Sequence, residues 1–323
     1  MAMDAVENFK RAVFHEGPEW VPDGREVQWV RPPVVERPPA SGLDAFGCAW
    51  ELEAEAEGGT YPAHGKAVVE ELGRWRDRVQ FPDPGRLDWG EARAAAARAR
   101  ADGLMVQGFV EMGLLERTCL LLGMEEALVA FMEEPGLVEE LVSRIADYKV
   151  SLIERFWSEA RPDIIWYGDD WGSQRALLVP PRLWRRIIKP HTQRIYEAIG
   201  GHGMIVNQHS CGMVEEVFGD MVEMGARIWN PCQPCNDLAA LKRRHHGKIC
   251  FWGGIDSQFV LSRPDVTAEE VRREVRRRID ELAWGGGGYI AAPSHGVPYR
   301  PEVVEAMRDE IRSYGAKSRA GGK

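Results

Sequence analysis

No stretch of this chain holds the ~18–20 uninterrupted apolar residues that a membrane-spanning helix requires. Met1 to Phe14 carries Asp4, Glu7, Lys10 and Arg11 where a secretory signal would have an apolar core, so the expected location is the cytoplasm. Cysteine is sparse, six in 323 residues, which excludes a disulfide framework. In a reducing compartment such thiols are either buried filler or chemistry. A surplus of positive charge is also missing: 41 basic residues face 50 acidic ones, for a formal charge of −9. The one basic run, Arg272 to Arg278, is interleaved with Glu269, Glu270, Glu274, Asp280 and Glu281, as on a solvated helix face. Nucleic acid and membrane surfaces are therefore not the expected partners, and a small-molecule substrate is.

What is present is the composition of a soluble globular protein, 44% hydrophobic and 28% charged. Residues 1–65 are proline-rich (Pro18, Pro22, Pro32, Pro33, Pro38, Pro39), and only Glu26–Val30 and Gly47–Leu52 read as strands. An extended segment wrapping or capping the main body is expected there, with Trp20, Trp29 and Trp50 as packing anchors. From Lys66 the pattern alternates. Val68, Val69, Leu72 and Trp75 make a helical pattern, Glu91–Ala101 is a strong helix on propensity, and Leu104–Gln107 is a strand. Pro135 opens a long amphipathic helix striped by Leu137, Leu141, Ile145, Tyr148, Leu152 and Phe156. Strands are then expected at Asp163–Tyr167, Met204–Asn207, Ala226–Trp229, Lys248–Trp252 and Tyr289–Ala292, with helices between them. One of these helices starts on the capping box Thr267–Glu270. Such alternation means a parallel sheet. The expected fold is α/β, an eight-stranded TIM-type barrel over residues 66–315, with a doubly wound open sheet as the alternative and a frayed tail at 316–323.

In either architecture function gathers at the carboxyl ends of the strands. Those ends read Gly168–Gln174, Asn207–Gly212, Asn230–Asp237, Gly253–Gln258 and Pro293–Gly296, and they are rich in His, Cys and Asp. His209 and Cys211, two apart at a strand end, can point into one space, and imidazole and thiolate suit zinc. Cys232 and Cys235 form a C-x-x-C, readable as a further metal pair or a redox couple. Asp169 and Asp170 are adjacent acids that must face different sides, so one can enter the cavity while the other caps a helix. His295 is a further catalytic candidate, and Gln174, Asn207, Gln233 and Asp256 are candidates for substrate contact. Cys48, Cys119 and Cys250 sit in apolar context and read as filler. Gly285–Gly288 precedes a strand, the wrong polarity for a phosphate loop.

Four of these segments, Asp169–Gln174, His209–Gly212, Phe251–Asp256 and Ala292–Gly296, occur in an order and spacing that resembles the uroporphyrinogen decarboxylase superfamily from about Leu43 to Tyr314. The resemblance implies a barrel and one of two chemistries. Metal-free porphyrinogen decarboxylases carry an N-terminal Met-Arg-Gln-Ala-Gly-Arg-Tyr signature that is missing here, where Arg25, Arg31 and Arg37 are scattered. Zinc-dependent methyltransferases, whose metal motif begins His-x-Cys, are matched at His209 and Cys211. That branch implies zinc, a methyl group exchanged with a corrinoid, and a small thiol or a methoxylated or methylamine-type donor as the other substrate. The chain lacks the Asp-x-His-x-x-Gly motif of a cobalamin carrier, so the corrinoid is expected on a partner protein. The third ligand customary in that branch, a cysteine after the last strand, is replaced by Ala291–His295. His295, Cys232 or Cys235 is then expected to complete the set, with Asp169 or Asp170 positioning substrate or tuning the metal. A metal-free decarboxylase of a carboxylated ring, and a non-catalytic barrel that binds a ligand or corrinoid protein, are the other readings.

Overall fold

A computed structural model of the chain describes residues 3–52 and 59–317. The strands, in chain order, are β1 (Val27–Val30), β2 (Gly42–Leu43), β3 (Ala49–Glu51), β4 (Tyr61–Pro62), β5 (Met105–Val110) and β6 (Ile164–Gly168), followed by β7 (Ile205–His209), β8 (Ile228–Asn230), β9 (Cys250–Ile255) and β10 (Tyr289–Pro293). Seven of them make one parallel sheet in the order β1-β5-β6-β7-β8-β9-β10, while β2, β3 and β4 form a small antiparallel sheet. Because the order follows the chain, each connection is a simple crossover, and the helices pack around the curled sheet as in a TIM-like barrel.

The expected eighth strand is not found among the described residues, and the ring is not closed by a ladder. Where it would close, Pro18 to Pro22 run beside β10, and one backbone bond, from Ala291 N–H to the Pro22 carbonyl at 2.8 Å, crosses the gap. Prolines in that stretch offer no N–H for a ladder. The gap is filled from below by a helix, Ala5–Phe14, capped by Asp4. Its presence corrects the expectation of irregular chain over the first residues. Only four of its residues are buried apolar or polar anchors (Asn8, Phe9, Ala12, Val13), too short a pattern to stand out beside so many prolines. Phe9 meets the Trp252 ring edge-on at 5.7 Å. The helical pattern at Val68–Trp75 shrinks to a 3-10 turn, Leu72–Arg74, and one α turn, Trp75–Arg78.

Inside the curled sheet the strand period of two sorts side chains into layers. Val27, Met105, Ile164, Ile205, Ile228, Cys250 and Ile290 form an apolar floor with Phe9 and Val13. Two residues further along come Trp29, Gln107, Trp166, Asn207, Asn230 and Trp252, a mixed aromatic and amide layer. The strand ends lie above it. Outside, the helix Pro135–Ala160 buries Leu141, Ile145, Tyr148, Leu152 and Phe156 along the stripe that its spacing shows. The helix Ala268–Leu282 starts on the Thr267/Glu270 capping box. The final helix, Pro301–Lys317, runs past Tyr314, and the rest of the tail expected to fray, residues 318–323, lies outside the described residues. No described helix is long and apolar enough to cross a membrane.

The N-terminal segment is held to the helices Leu114–Leu122 and Pro135–Ala160 by buried charge. Glu36 accepts from Lys149 Nζ at 2.6 and 2.7 Å and from Arg117 Nη2 at 3.1 Å, and Asp44 accepts from Arg117 Nη1 at 2.5 Å. All four side chains are at most 3% exposed. Two cations balance two anions, so the cluster is neutral as a unit and very unequal if one member is removed. Glu36→Gln, which removes a charge without opening a cavity, is expected to cost about 3–5 kcal/mol in urea unfolding, because Lys149 is left buried without its counter-ion. A loss under about 1 kcal/mol would show that the cluster does not hold the segment in place.

Candidate metal centre

The site starts from one register. On β6 and β7, Gly168 is paired with His209, and on β7 and β8, His209 is paired with Asn230. The chain leaves β6 as Asp169-Asp170, and the two identical side chains go opposite ways. Asp169 turns outward and is fully buried. It accepts from the N–H groups of Leu115 and Glu116, both at 3.0 Å, and from Trp171 Nε1 at 2.9 Å. It thereby caps the helix Leu114–Leu122, whose own N-cap position is Gly113 and has no side chain to do so. A Cβ on Gly113 would lie 2.3 Å from that of Asp169, which is why only glycine fits. Burial raises the Asp169 carboxyl to about 6, against the pull of those three donors.

Asp170 turns inward. Its Oδ1 accepts the Cys211 N–H at 2.7 Å and lies 3.6 Å from His209 Nε2, which in turn lies 3.4 Å from Cys211 Sγ. Among the described residues these three form one group whose ligand atoms all lie within 4.8 Å of one another. His209 Nδ1 lies 2.6 Å from Asn230 Oδ1, and the Trp166 ring lies 4.5 Å from the imidazole. Burial first, and then the Asp170 carboxylate, push the Cys211 thiol far above its usual range. Glu116, half-buried on the same side, is raised well above the usual carboxylate range by burial and by the charges of Asp170 and Asp169.

The loop that presents Cys211 is shaped by its neighbours. Gly212 takes φ +77°, and a Cβ there would lie 2.2 Å from the Gly172 carbonyl, so the two strand-end loops meet backbone to backbone. Gln233 Oε1 accepts the Gly212 N–H at 2.6 Å, and Asn236 binds both the Val214 N–H and the Gly212 carbonyl at 2.9 Å.

The other residues singled out from the sequence are placed elsewhere. Cys232 is buried and gives its thiol to the Trp229 carbonyl at 3.0 Å. Cys235 is half-buried, with Asn236 Nδ2 at 3.4 Å from its sulfur. His295 is exposed. None of the three enters the group around His209. Asp256 caps its own turn by accepting the Phe259 N–H at 2.8 Å. Gln174 meets Gln258 in an exposed bond of 2.8 Å, and Asn207 is buried against Gln107 at 3.0 Å. Asn230 and Glu116, not singled out from the sequence, do border the site. Asn230 stands at a strand end beside His209 in the register, a signal available only once the strands are aligned.

The donor set fits zinc. Imidazole nitrogen, thiolate and carboxylate are zinc ligands, and bonds of about 2.0–2.3 Å at tetrahedral angles make ligand-to-ligand edges of roughly 3.3–3.6 Å. The edges from His209 Nε2, 3.4 and 3.6 Å, have that length. A divalent cation there also reverses the sign at Cys211, because a coordinated thiol is deprotonated outright.

The Asp169 shift yields a pH test. A carboxyl raised in the fold contributes stability that is full below its ordinary 3.8 and is lost as pH rises through about 6. At 1.36 kcal/mol per pKa unit this is worth roughly 3 kcal/mol. Asp169→Asn is therefore expected to gain about that much relative to the wild type between pH 4 and pH 7 in urea titrations. A difference that stays constant across that window would refute the assignment.

Comparison with known proteins bears on the fold and the family. A family model, "Uroporphyrinogen decarboxylase (URO-D)", matches residues 43–314. No curated protein matches the chain. Among solved structures, a methyltransferase from Methanosarcina mazei is similar at a TM-score of 0.73 and 15% sequence identity, covering 97% of this chain and 99% of that one. At that identity the likeness establishes the fold. With its α/β sheet, its polar strand ends and a family match over most of its length, the chain belongs to the uroporphyrinogen decarboxylase family.

Proposed function

We propose that this member of the family is a zinc-dependent methyltransferase, moving a methyl group between a corrinoid carried by a separate protein and a small thiol or a methoxylated or methylamine-type donor. The observation that carries the reading is the convergence of His209 Nε2, Cys211 Sγ and Asp170 Oδ1 at one point above the aromatic layer. Three protein ligands with a fourth position left open are the arrangement of catalytic zinc. The resemblance left the third ligand to His295, Cys232 or Cys235; the grouping of Asp170 with His209 and Cys211 supports Asp170 in that role instead.

Zinc held there would lower the pKa of a bound thiol or polarise a bound ether oxygen. The chain's own residues set the conditions for this. The Cys211 thiolate and the Asp170 carboxylate together cancel the charge of a divalent cation, so a substrate thiolate in the fourth position would keep its full negative charge and its nucleophilicity. Trp166 covers one side of the imidazole, and the apolar floor lies below. Asp170 also ties its carboxylate to the Cys211 N–H, so two ligands from strands β6 and β7 are held in one geometry before any metal arrives. His209 and Asp170 keep 20% and 33% of their side chains exposed, and from that side a partner would bring the corrinoid, whose cobalt chemistry the chain does not supply.

Purified protein is expected to carry about one zinc per chain by elemental analysis. His209→Ala, Cys211→Ser and Asp170→Ala are each expected to lower zinc affinity more than about 100-fold in chelator competition, with the fold intact by circular dichroism. Substituted cobalt(II) should show a thiolate charge-transfer band that Cys211→Ser alone abolishes. Protein that holds no zinc and gains no methyl transfer from a methylated corrinoid to a thiol when zinc is added would sink the reading, and a metal-free decarboxylase would then take its place.

A further inference from the structure

We infer that Asn230 is the positioning residue that presents His209 to the metal through Nε2. The inference rests on the metal reading above and concerns how the site achieves it. His209 and Asn230 are register partners on β7 and β8, so their side chains stand next to each other on the inner face of the sheet. His209 Nδ1 and Asn230 Oδ1 are 2.6 Å apart.

Which end of the amide faces the ring is decided by the far side of Asn230. Its Nδ2 lies 3.2 Å from the main-chain carbonyl of Trp252, a group that can only accept. Nδ2 therefore donates there, and Oδ1 is the atom turned toward His209. The same oxygen lies 3.2 Å from Trp166 Nε1, an indole N–H that can only donate. Two independent neighbours, one pure acceptor and one pure donor, fix the same amide orientation. The imidazole must then donate from Nδ1. Were the proton on Nε2 instead, two lone pairs would face each other at 2.6 Å.

A neutral imidazole that donates from Nδ1 keeps its lone pair on Nε2, the nitrogen that faces Cys211 Sγ and Asp170 Oδ1. The ring is also held in orientation. Trp166, tied to the Asn230 oxygen, lies against the imidazole at 4.5 Å. The indole can fold there because Gly168, paired with His209 on the other side, has no side chain: a Cβ would lie 2.6 Å from the Trp166 ring. Across three neighbouring strands the same level thus supplies a space, a ligand and the group that aims the ligand. Asn230 acts through the imidazole and not as a ligand.

The test measures the ring and the metal separately. In zinc-free wild-type protein, 15N chemical shifts of the His209 ring are expected to show the proton on Nδ1. Asn230→Leu, similar in size but without the acceptor, is expected to give a mixture of tautomers and to weaken zinc binding by about 10–100-fold in chelator competition. Asn230→Asp keeps the acceptor at the Oδ1 position but sets an oxygen against the Trp252 carbonyl in place of the Nδ2 donor, so it should restore the proton on His209 Nδ1 with only part of the affinity. If Asn230→Leu does not fold, the wild-type tautomer and the tautomer of Asn230→Asp decide. A wild-type or Asn230→Asp ring protonated on Nε2, or an Asn230→Leu protein that binds zinc as tightly as the wild type, would each overturn the inference while leaving the metal reading standing. Wild-type protein that binds no zinc would overturn the metal reading itself, and the presentation of His209 to a metal with it.

Discussion

Two identical side chains at the end of β6 do different work because a strand alternates the faces it shows. Asp169 points out of the curled sheet and Asp170 points into it. The first closes the amino end of the helix Leu114–Leu122, and the second meets His209 and Cys211. Shifting this register by one residue would exchange them. The carboxylate would leave the cavity, and the helix would lose its cap in the same step. The position of the candidate site and the packing of the outer layer are therefore one constraint.

That helix links the two buried charge systems of the protein. Its first turn is capped by Asp169, Glu116 faces the cavity, and Arg117, the next residue, enters the cluster with Glu36 and Asp44. Asp44 also accepts the N–H groups of Phe46 and Cys48, so the turn that carries the small antiparallel sheet hangs on the same guanidinium. A charge-balanced cluster suits a permanent contact, since removing any member leaves a buried charge alone. The candidate metal centre has the opposite character. In it a buried thiol, a carboxylate and the acidic Glu116 stand close together with no described cation in the group, and the Cys211 thiol is held protonated. Such an arrangement is uncomfortable by itself and favourable around a divalent ion.

Much of the fold was legible in the sequence because its signals are local. The capping box at Thr267, the stripe on Pro135–Ala160 and the apolar runs of the strands lie within a few residues of one another, and each element formed where its pattern stood. The missing eighth strand was not legible. Ring closure depends on how the segment around Pro18–Pro22 meets β10, and proline there leaves a single backbone bond in place of a ladder. The N-terminal helix was hidden for a related reason: its apolar face is short and acquires meaning only against Trp252 and the floor of the sheet.

For the site, the sequence by itself determined that His209 and Cys211 share a face, because residues two apart at a strand end must do so. It also placed polar, metal-capable residues at the strand ends. Tertiary structure decided what stands with the pair. Asp170 lies on the neighbouring strand's end and Asn230 on the strand beyond, and both arrive through register, a relation between strands that no spacing along the chain encodes. Cys232, near in sequence to Asn230, turns its thiol to a carbonyl instead. Chemical type was written locally, and the choice among chemically suitable residues was made by the geometry of the sheet.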